Sequence, residues 1–239
     1  MHGAANDAVS AGLNTSHLRT FGRTFAPPHL RTPRTFAPPH PTIRPPDGVQ
    51  SLRMSKLIYI TNASLDGYIE DRSGDFDWVN SDRVFDAITD LLRPIGTHLL
   101  GRRLYETMAF WDGPVDGYPP EHREFARIWQ QAETIVFSRT LTGVPARIAR
   151  VEREFDAEAI RALKRDAKQD IMIGGAELAG IALESSLVDE CHLFLHPVIV
   201  GGGKPAFRAA GRRDLDLLET RRFDSGVIHV RYRVRGATP

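Results

Sequence analysis

The chain has 239 residues, with 31 Lys and Arg against 30 Asp and Glu, and 41% of it is hydrophobic. That balance describes a globular protein with room for one large domain or two small ones, and no apolar run is long enough to span a bilayer. A lone cysteine, Cys191, excludes an internal disulfide and a cysteine-based zinc site, agrees with a reducing, cytoplasmic setting, and in its apolar context points to packing.

Residues 1–53 differ from everything after them. They carry Arg19, Arg23, Arg31, Arg34, Arg44 and Arg53 against Asp7 and Asp47, so the remainder is mildly acidic, with 25 basic and 28 acidic residues. Half of the 16 prolines lie here, and Arg23-Thr-Phe-Ala-Pro-Pro-His29 returns as Arg34-Thr-Phe-Ala-Pro-Pro-His40. Proline at this density breaks helices and withholds ladder donors, so a disordered Pro/Arg-rich extension is expected. Three readings compete for it: a translated upstream region with Met54 as the natural start, a flexible arm for anionic partners, or a targeting peptide without a secretory apolar core. The folded domain is expected over 54–239.

Leu57 to Ala63 reads as a buried first strand, and Ser64-Leu65-Asp66-Gly67-Tyr68-Ile69 turns at Asp66-Gly67 and resumes. An acidic loop over 71–77 ends at Trp78. Asp82 opens a helix with Phe85, Ile88, Leu91 and Leu92 inward, stopped by Pro94. Thr97 to Leu100 is a short strand, Glu121 to Gln131 a helix, and Thr134 to Phe137 another strand. Residues 147–151 alternate like a half-exposed strand, and Asp156 caps the next helix. Ile171-Met172-Ile173 runs through Gly174-Gly175 into a helix beginning Ala176-Glu177-Leu178. Val188 to Val200 reads as a long strand with Pro197 marking an edge or bulge, followed by a mobile Gly201-Gly202-Gly203 turn. Leu215–Phe223 and Val227–Val234 close the chain as a hairpin. Strands alternating with helices, then strands alone, give an α/β fold with a mixed sheet.

Three places follow a strand and carry groups suited to anions: Gly101-Arg102-Arg103, Ser138-Arg139-Thr140 and Gly174-Gly175-Ala176. Ligands of open α/β sheets gather at the carboxyl ends of strands, so all three can share one rim. Arginine forks match phosphate oxygens, and a helix start offers unpaired N–H groups. Together they suggest a ligand with separated phosphates, such as NADPH. The usual Gly-x-Gly-x-x-Gly fingerprint, a Walker loop, a serine-hydrolase elbow and a metal-ligand spacing are all absent.

Six motifs in order carry a family resemblance: Ser64–Ile69, Gly101–Glu106, Val136–Leu141, Ile173–Leu178, Leu187–Glu190 and His196–Gly203. From Ser55 to about Arg235 the chain resembles the dihydrofolate-reductase-like superfamily. Within it, the chain looks like the reductase domain of the riboflavin-biosynthesis bifunctional deaminase-reductase and its stand-alone relatives. The resemblance implies a mixed, mostly parallel sheet flanked by helices and closed by an antiparallel hairpin, an NADPH cofactor and a homodimer, with the strand over 188–200 as contact. It assigns Arg102, Ser138 and Arg139 to the adenosine 2′-phosphate. It assigns Gly174, Gly175 and Ala176, with the helix start at Glu177 and Leu178, to the pyrophosphate. Gly101, Arg103 and Thr140 complete the cofactor set, and Asp66 and Tyr68 fall beside nicotinamide and substrate as the catalytic pair, with Asp82 a weaker candidate.

Two departures stand out. Leu104 replaces a threonine common in the family. The stretches Val84-Phe85-Asp86-Ala87 and Met108-Ala109-Phe110-Trp111-Asp112 lack the arginines and the aspartate–proline segment that serve a ribose phosphate, and Arg83 alone stands in for them. Trp78, Phe110 and Trp111 would suit a flat, less phosphorylated ring, with core or lid packing as the competing reading. The expected function is a stand-alone NADPH-dependent reductase delivering hydride to a heterocyclic C=N or a carbonyl. The alternatives are 5-amino-6-(5-phosphoribosylamino)uracil reductase of riboflavin biosynthesis and a non-catalytic dinucleotide-binding protein. The expected partners are a small-molecule substrate and a second copy of the chain, with no nucleic acid, membrane or metal.

Overall fold

The computed structural model describes residues 54–79, 82–142, 148–208 and 211–236. The expectations for the extension over 1–53 lie outside these residues, as do the side chains of Asp82 and Arg83.

Strand β1 (Leu57–Ser64) shows why the sheet is covered on both faces. Leu57 and Tyr59 enter one apolar cluster while Ile58 and Ile60 enter the others, as the two-residue period of a strand requires. Its parallel neighbours are β6 (Asp170–Gly174) and β7 (Glu190–His196). Beyond β6 lie β3 (Ile95–Gly101), β4 (Glu133–Phe137) and β5 (Ile148–Glu152), all parallel. On the other side β10 (Ile228–Val234) runs antiparallel to β7 and pairs with β9 (Leu215–Arg222). The order is therefore β5-β4-β3-β6-β1-β7-β10-β9, with a small separate pair of β2 (Tyr68–Glu70) and β8 (Lys204–Pro205). This is the mixed, mostly parallel sheet with a closing antiparallel hairpin that the resemblance implied.

Helices cover both faces. On one, α4 (Ala157–Asp166) and α5 (Ala176–Glu184) contribute Ile160, Leu178, Ala182 and Leu183. On the other, α1 (Asp82–Leu92), α2 (Arg102–Met108) and α3 (Pro120–Gln131) contribute Leu92, Tyr105, Phe125 and Trp129. Asp156 caps α4 as expected, its Oδ1 accepting from the N–H groups of Glu158 at 2.9 Å and Ala159 at 3.3 Å.

The amino ends of the strands are tied together by charge. Lys164, 2% exposed, donates to Leu187 O at 3.0 Å and lies 2.8 Å from Asp189, which accepts from Leu57 N. Glu190 takes Lys56 Nζ at 2.6 Å and Arg231 Nε at 2.8 Å. Burial pushes its carboxyl up, but the bonds from His192, Arg231 and Lys56 outweigh this and hold it well below the usual carboxylate range.

Two expectations need correction. The strand expected over 188–200 ends at His196, before Pro197, and it lies inside the sheet between β1 and β10. A proline lacks the ladder donor, so an interior strand has to stop ahead of it. The Gly201-Gly202-Gly203 turn is anchored: Gly201 N donates to Asp66 Oδ2 at 2.8 Å, and Arg72 Nη2 donates to Gly201 O at 3.0 Å.

Candidate active site at the carboxyl rim

Three strands end side by side, and each leaves the sheet without a bulky residue in the way. β3 passes through Gly101 directly into α2. β6 passes through Gly175, whose φ of +94° suits glycine, directly into α5. A Cβ on Gly175 would sit 3.8 Å from Gly101 N, so the two turns lie in contact. Gly174 lies beneath them: a Cβ there would fall 2.3 Å from Leu104 Cδ2, so its missing side chain seats α2 on the sheet.

β4 ends in a turn held by Ser138, whose Oγ accepts from Leu141 N at 3.0 Å and whose N–H donates to Glu152 O at 2.9 Å. Arg153 Nη1 donates to both Ser138 O and Leu141 O at 2.9 Å, clamping that turn from the end of β5. Arg102 spans two corners, its Nε on Glu106 at 2.6 Å and its Nη1 on Thr140 Oγ1 at 2.7 Å.

A cleft of about 1230 Å³ runs along this rim. Gly101, Arg102, Arg103, Ser138, Arg139, Thr140, Gly175, Ala176, Glu177 and Leu178 all line it, so the three corners singled out in the sequence do converge. Gly174 supports the cleft from below. Helix α5 starts at Gly175 with no side-chain cap, which leaves first-turn N–H groups for a ligand. Leu104 lines the wall where a threonine was expected, and the hydroxyl-bearing residues of the described lining are Thr61, Thr107, Ser138 and Thr140.

Asp66 and Tyr68 are placed differently. Neither is among the residues lining the cleft, whereas their neighbours Ile69 and Glu70 are. Asp66 accepts from Ser64 Oγ at 2.7 Å and from the N–H groups of Val200 and Gly201. The Ser64 hydroxyl, followed by those backbone donors, holds its carboxyl below the usual range. Tyr68 N donates to Ser64 Oγ at 2.9 Å. Asp66 therefore ties the turn after β1 to the glycine turn before β8, while Tyr68 closes the first turn onto Ser64.

Of the three aromatic residues, Phe110 and Trp111 are in ring contact with each other. Trp78 lies edge-on to His196, and Phe110 is 67% exposed, packing on Tyr118 and Trp111. Trp111 alone of the three lines the cleft.

Sequence reasoning missed Arg153, Glu70, Lys204 and His122, all of which line the cleft. Arg153 had a usable signal, an arginine just past a strand. The others are brought in by α3 and the β2–β8 pair, which carry no local mark of a site.

Comparison with known proteins is consistent with this geometry. The profile of the RibD C-terminal domain family matches residues 55–229. The Bacillus subtilis protein YyaP, itself uncharacterised, is 31% identical over 188 residues, covering 78% of this chain and 98% of that one. A pyrimidine reductase-like protein from Corynebacterium diphtheriae superposes with a TM-score of 0.57 at 18% identity, over 75% of this chain and 92% of that chain. Dihydrofolate reductase from Enterococcus faecalis, complexed with NADP(H), gives a TM-score of 0.53 at 15% identity, over 75% of this chain and 96% of that chain. At these identities the two solved structures show the shared fold.

Proposed function

The chain belongs to the RibD C-terminal domain family, and from that premise we propose that it is a stand-alone NADPH-dependent reductase acting on a heterocyclic C=N or a carbonyl. The observation that carries this reading is the meeting of three strand-end corners in one cleft. The residues present fit the cofactor: an uncapped helix start at Gly175, a glycine turn beside Gly101, and arginines at the two neighbouring corners.

Arg102, Arg139 and Ser138 would hold the adenosine 2′-phosphate, with Arg153 keeping the Ser138 turn in shape. Gly175, Ala176 and the first turn of α5 would hold the pyrophosphate through backbone N–H groups. NADPH, when bound, supplies the hydride. The protein's part is to hold donor and acceptor in line and to exclude water from the apolar half of the cleft. Asp66, kept ionised by Ser64 and two backbone N–H groups, acts as an anchor for the turn that carries Glu70 into the wall.

The test is a fluorescence titration of the full chain with NADPH and NADH. Micromolar binding that favours NADPH is expected, weakened about tenfold or more by Arg102→Ala or Arg139→Ala, with NADH little changed. Equal affinity for the two nucleotides would remove the 2′-phosphate assignment, and no binding of either would remove the reductase reading. The RibD family match favours one second reading, the phosphoribosylaminouracil reductase of riboflavin biosynthesis. Rescue of a strain lacking that reductase would support it.

A further inference from the structure

The charges along the cleft are unevenly shared. Arg102, Arg103, Arg139 and Arg153 follow β3, β4 and β5 and line only that side. Among the described lining residues the other half has one Lys or Arg, Lys204, and its Nζ lies 4.0 Å from Glu70 Oε1. A phosphate entering there would have to share that ammonium with a carboxylate, in a part of the cleft walled by apolar groups. Charge repulsion and desolvation both oppose it.

Away from those three strand ends, the lining includes aromatic rings from α1, α3 and residues 109–112 that pack on one another. Phe85 lies 5.6 Å from Trp111, 4.7 Å from Phe125 and 4.8 Å from His122, measured between ring centroids. His122 also meets Trp111 edge-on at 5.5 Å. No described residue hydrogen-bonds to the His122 ring nitrogens, although the ring is held in place and lines the cleft. Asn62 also lines the cleft, and with its Oδ1 engaged by His196 Nε2 at 3.0 Å, the amide NH2 is the polar group it has left for a ligand. An aromatic wall with few polar groups set into it is the usual construction of a pocket for a flat ring.

Resting on the reductase reading above, we propose that this half of the cleft binds a flat, uncharged heteroaromatic ring carrying no phosphate, with His122 as the hydrogen-bonding residue that selects it. The ring packs against Phe85 and Trp111, and its polar edge meets His122 and Asn62. The acceptor of the hydride is then recognised by shape and one or two hydrogen bonds, while phosphate recognition stays with the cofactor half.

A matched pair of probes separates ring from phosphate: riboflavin and FMN, which share a ring and differ by the phosphate. Each is titrated by calorimetry into the full chain saturated with NADP+, which fills the arginine side and cannot reduce the probe. The NADP+ affinity is measured first on the same sample, so failure of the cofactor reading shows there and is separate from failure of this proposal. Riboflavin binding at least as tightly as FMN is expected. His122→Phe keeps an aromatic ring in the wall but removes the hydrogen bond, and should weaken riboflavin about tenfold with NADP+ affinity unchanged. FMN binding tenfold tighter than riboflavin, or neither probe binding, would overturn the ring assignment. An unchanged riboflavin affinity in His122→Phe would remove His122 from it.

Discussion

At the residue scale, the site divides into groups that sequence chemistry marks and groups that it does not. Arg102, Ser138, Arg139 and Gly175 are conspicuous because each follows a buried strand, and the cleft gathers all of them. Asp66 carries the same kind of mark, an Asp-Gly after a strand; it is exposed, lies outside the cleft lining, and accepts from Ser64, Val200 and Gly201. A turn aspartate and a catalytic aspartate look alike in sequence because both need a short polar side chain beside glycine. Outside the cleft lining, buried histidines make a separate prediction. His229 faces His192 on β7, Glu219 and Arg221 on β9 and Arg231 on its own strand; His192 in turn reaches Glu190, and their ring nitrogens are 3.1 Å apart. Burial, then the neighbouring His192, lowers the His229 value from 6.5 to about 4. A folded value below the unfolded one gives stability that is complete above pH 6.5 and lost as pH falls toward 4. Thermal melts between pH 7 and pH 4 should show a falling Tm, and His229→Gln should flatten part of that fall. An identical slope in the variant would exclude His229 as its source.

At the element scale, the β2–β8 pair is the piece that carries Glu70 and Lys204 into the cleft wall. It depends on Gly203, whose φ is +140°, and a Cβ there would fall 2.0 Å from Glu70 O and 2.7 Å from Asp71 C. These contacts are backbone, so no rotamer change relieves them. Gly203→Ala should destabilise the protein by about 1–3 kcal/mol and shift Glu70 and Lys204. A denaturant melt measures the first. A riboflavin affinity that moves while NADP+ affinity does not would report the second. The strand expected over Val188 to Val200 differs from the observed one at this same scale. Pro197 was a correct signal for a break, but whether a strand is edge or interior depends on which other strands flank it. β1 and β10 are contributed from opposite ends of the domain.

At the scale of the whole molecule, β7 lies inside the sheet and β5 and β9 are its two edges, so in the segment over 188–200 that the resemblance implies as a homodimer contact, the exposed part is the stretch after His196, with Ile199 70% exposed. Light scattering of the full chain should give twice the chain mass, and a monomer would count against a dimer. Across the domain, apolar periodicity and glycine placement were enough to read most strands and helices and the three strand ends that carry glycine, serine or arginine, because these depend on neighbours a few residues apart, and the order of those elements implied the mixed sheet. What the chain's order could not supply was the far side of the cleft. His122 sits in the first turn of a helix, and Glu70 and Lys204 meet across a pairing between segments more than a hundred residues apart. Nothing local distinguishes such residues from solvated surface groups. Only packing α1 and α3 over one face of the sheet, and closing β8 onto β2, turns them into a wall. That packing also sets the ring group of Phe85, Trp111, His122 and Phe125 into the cleft wall, while the arginines come from the ends of β3, β4 and β5.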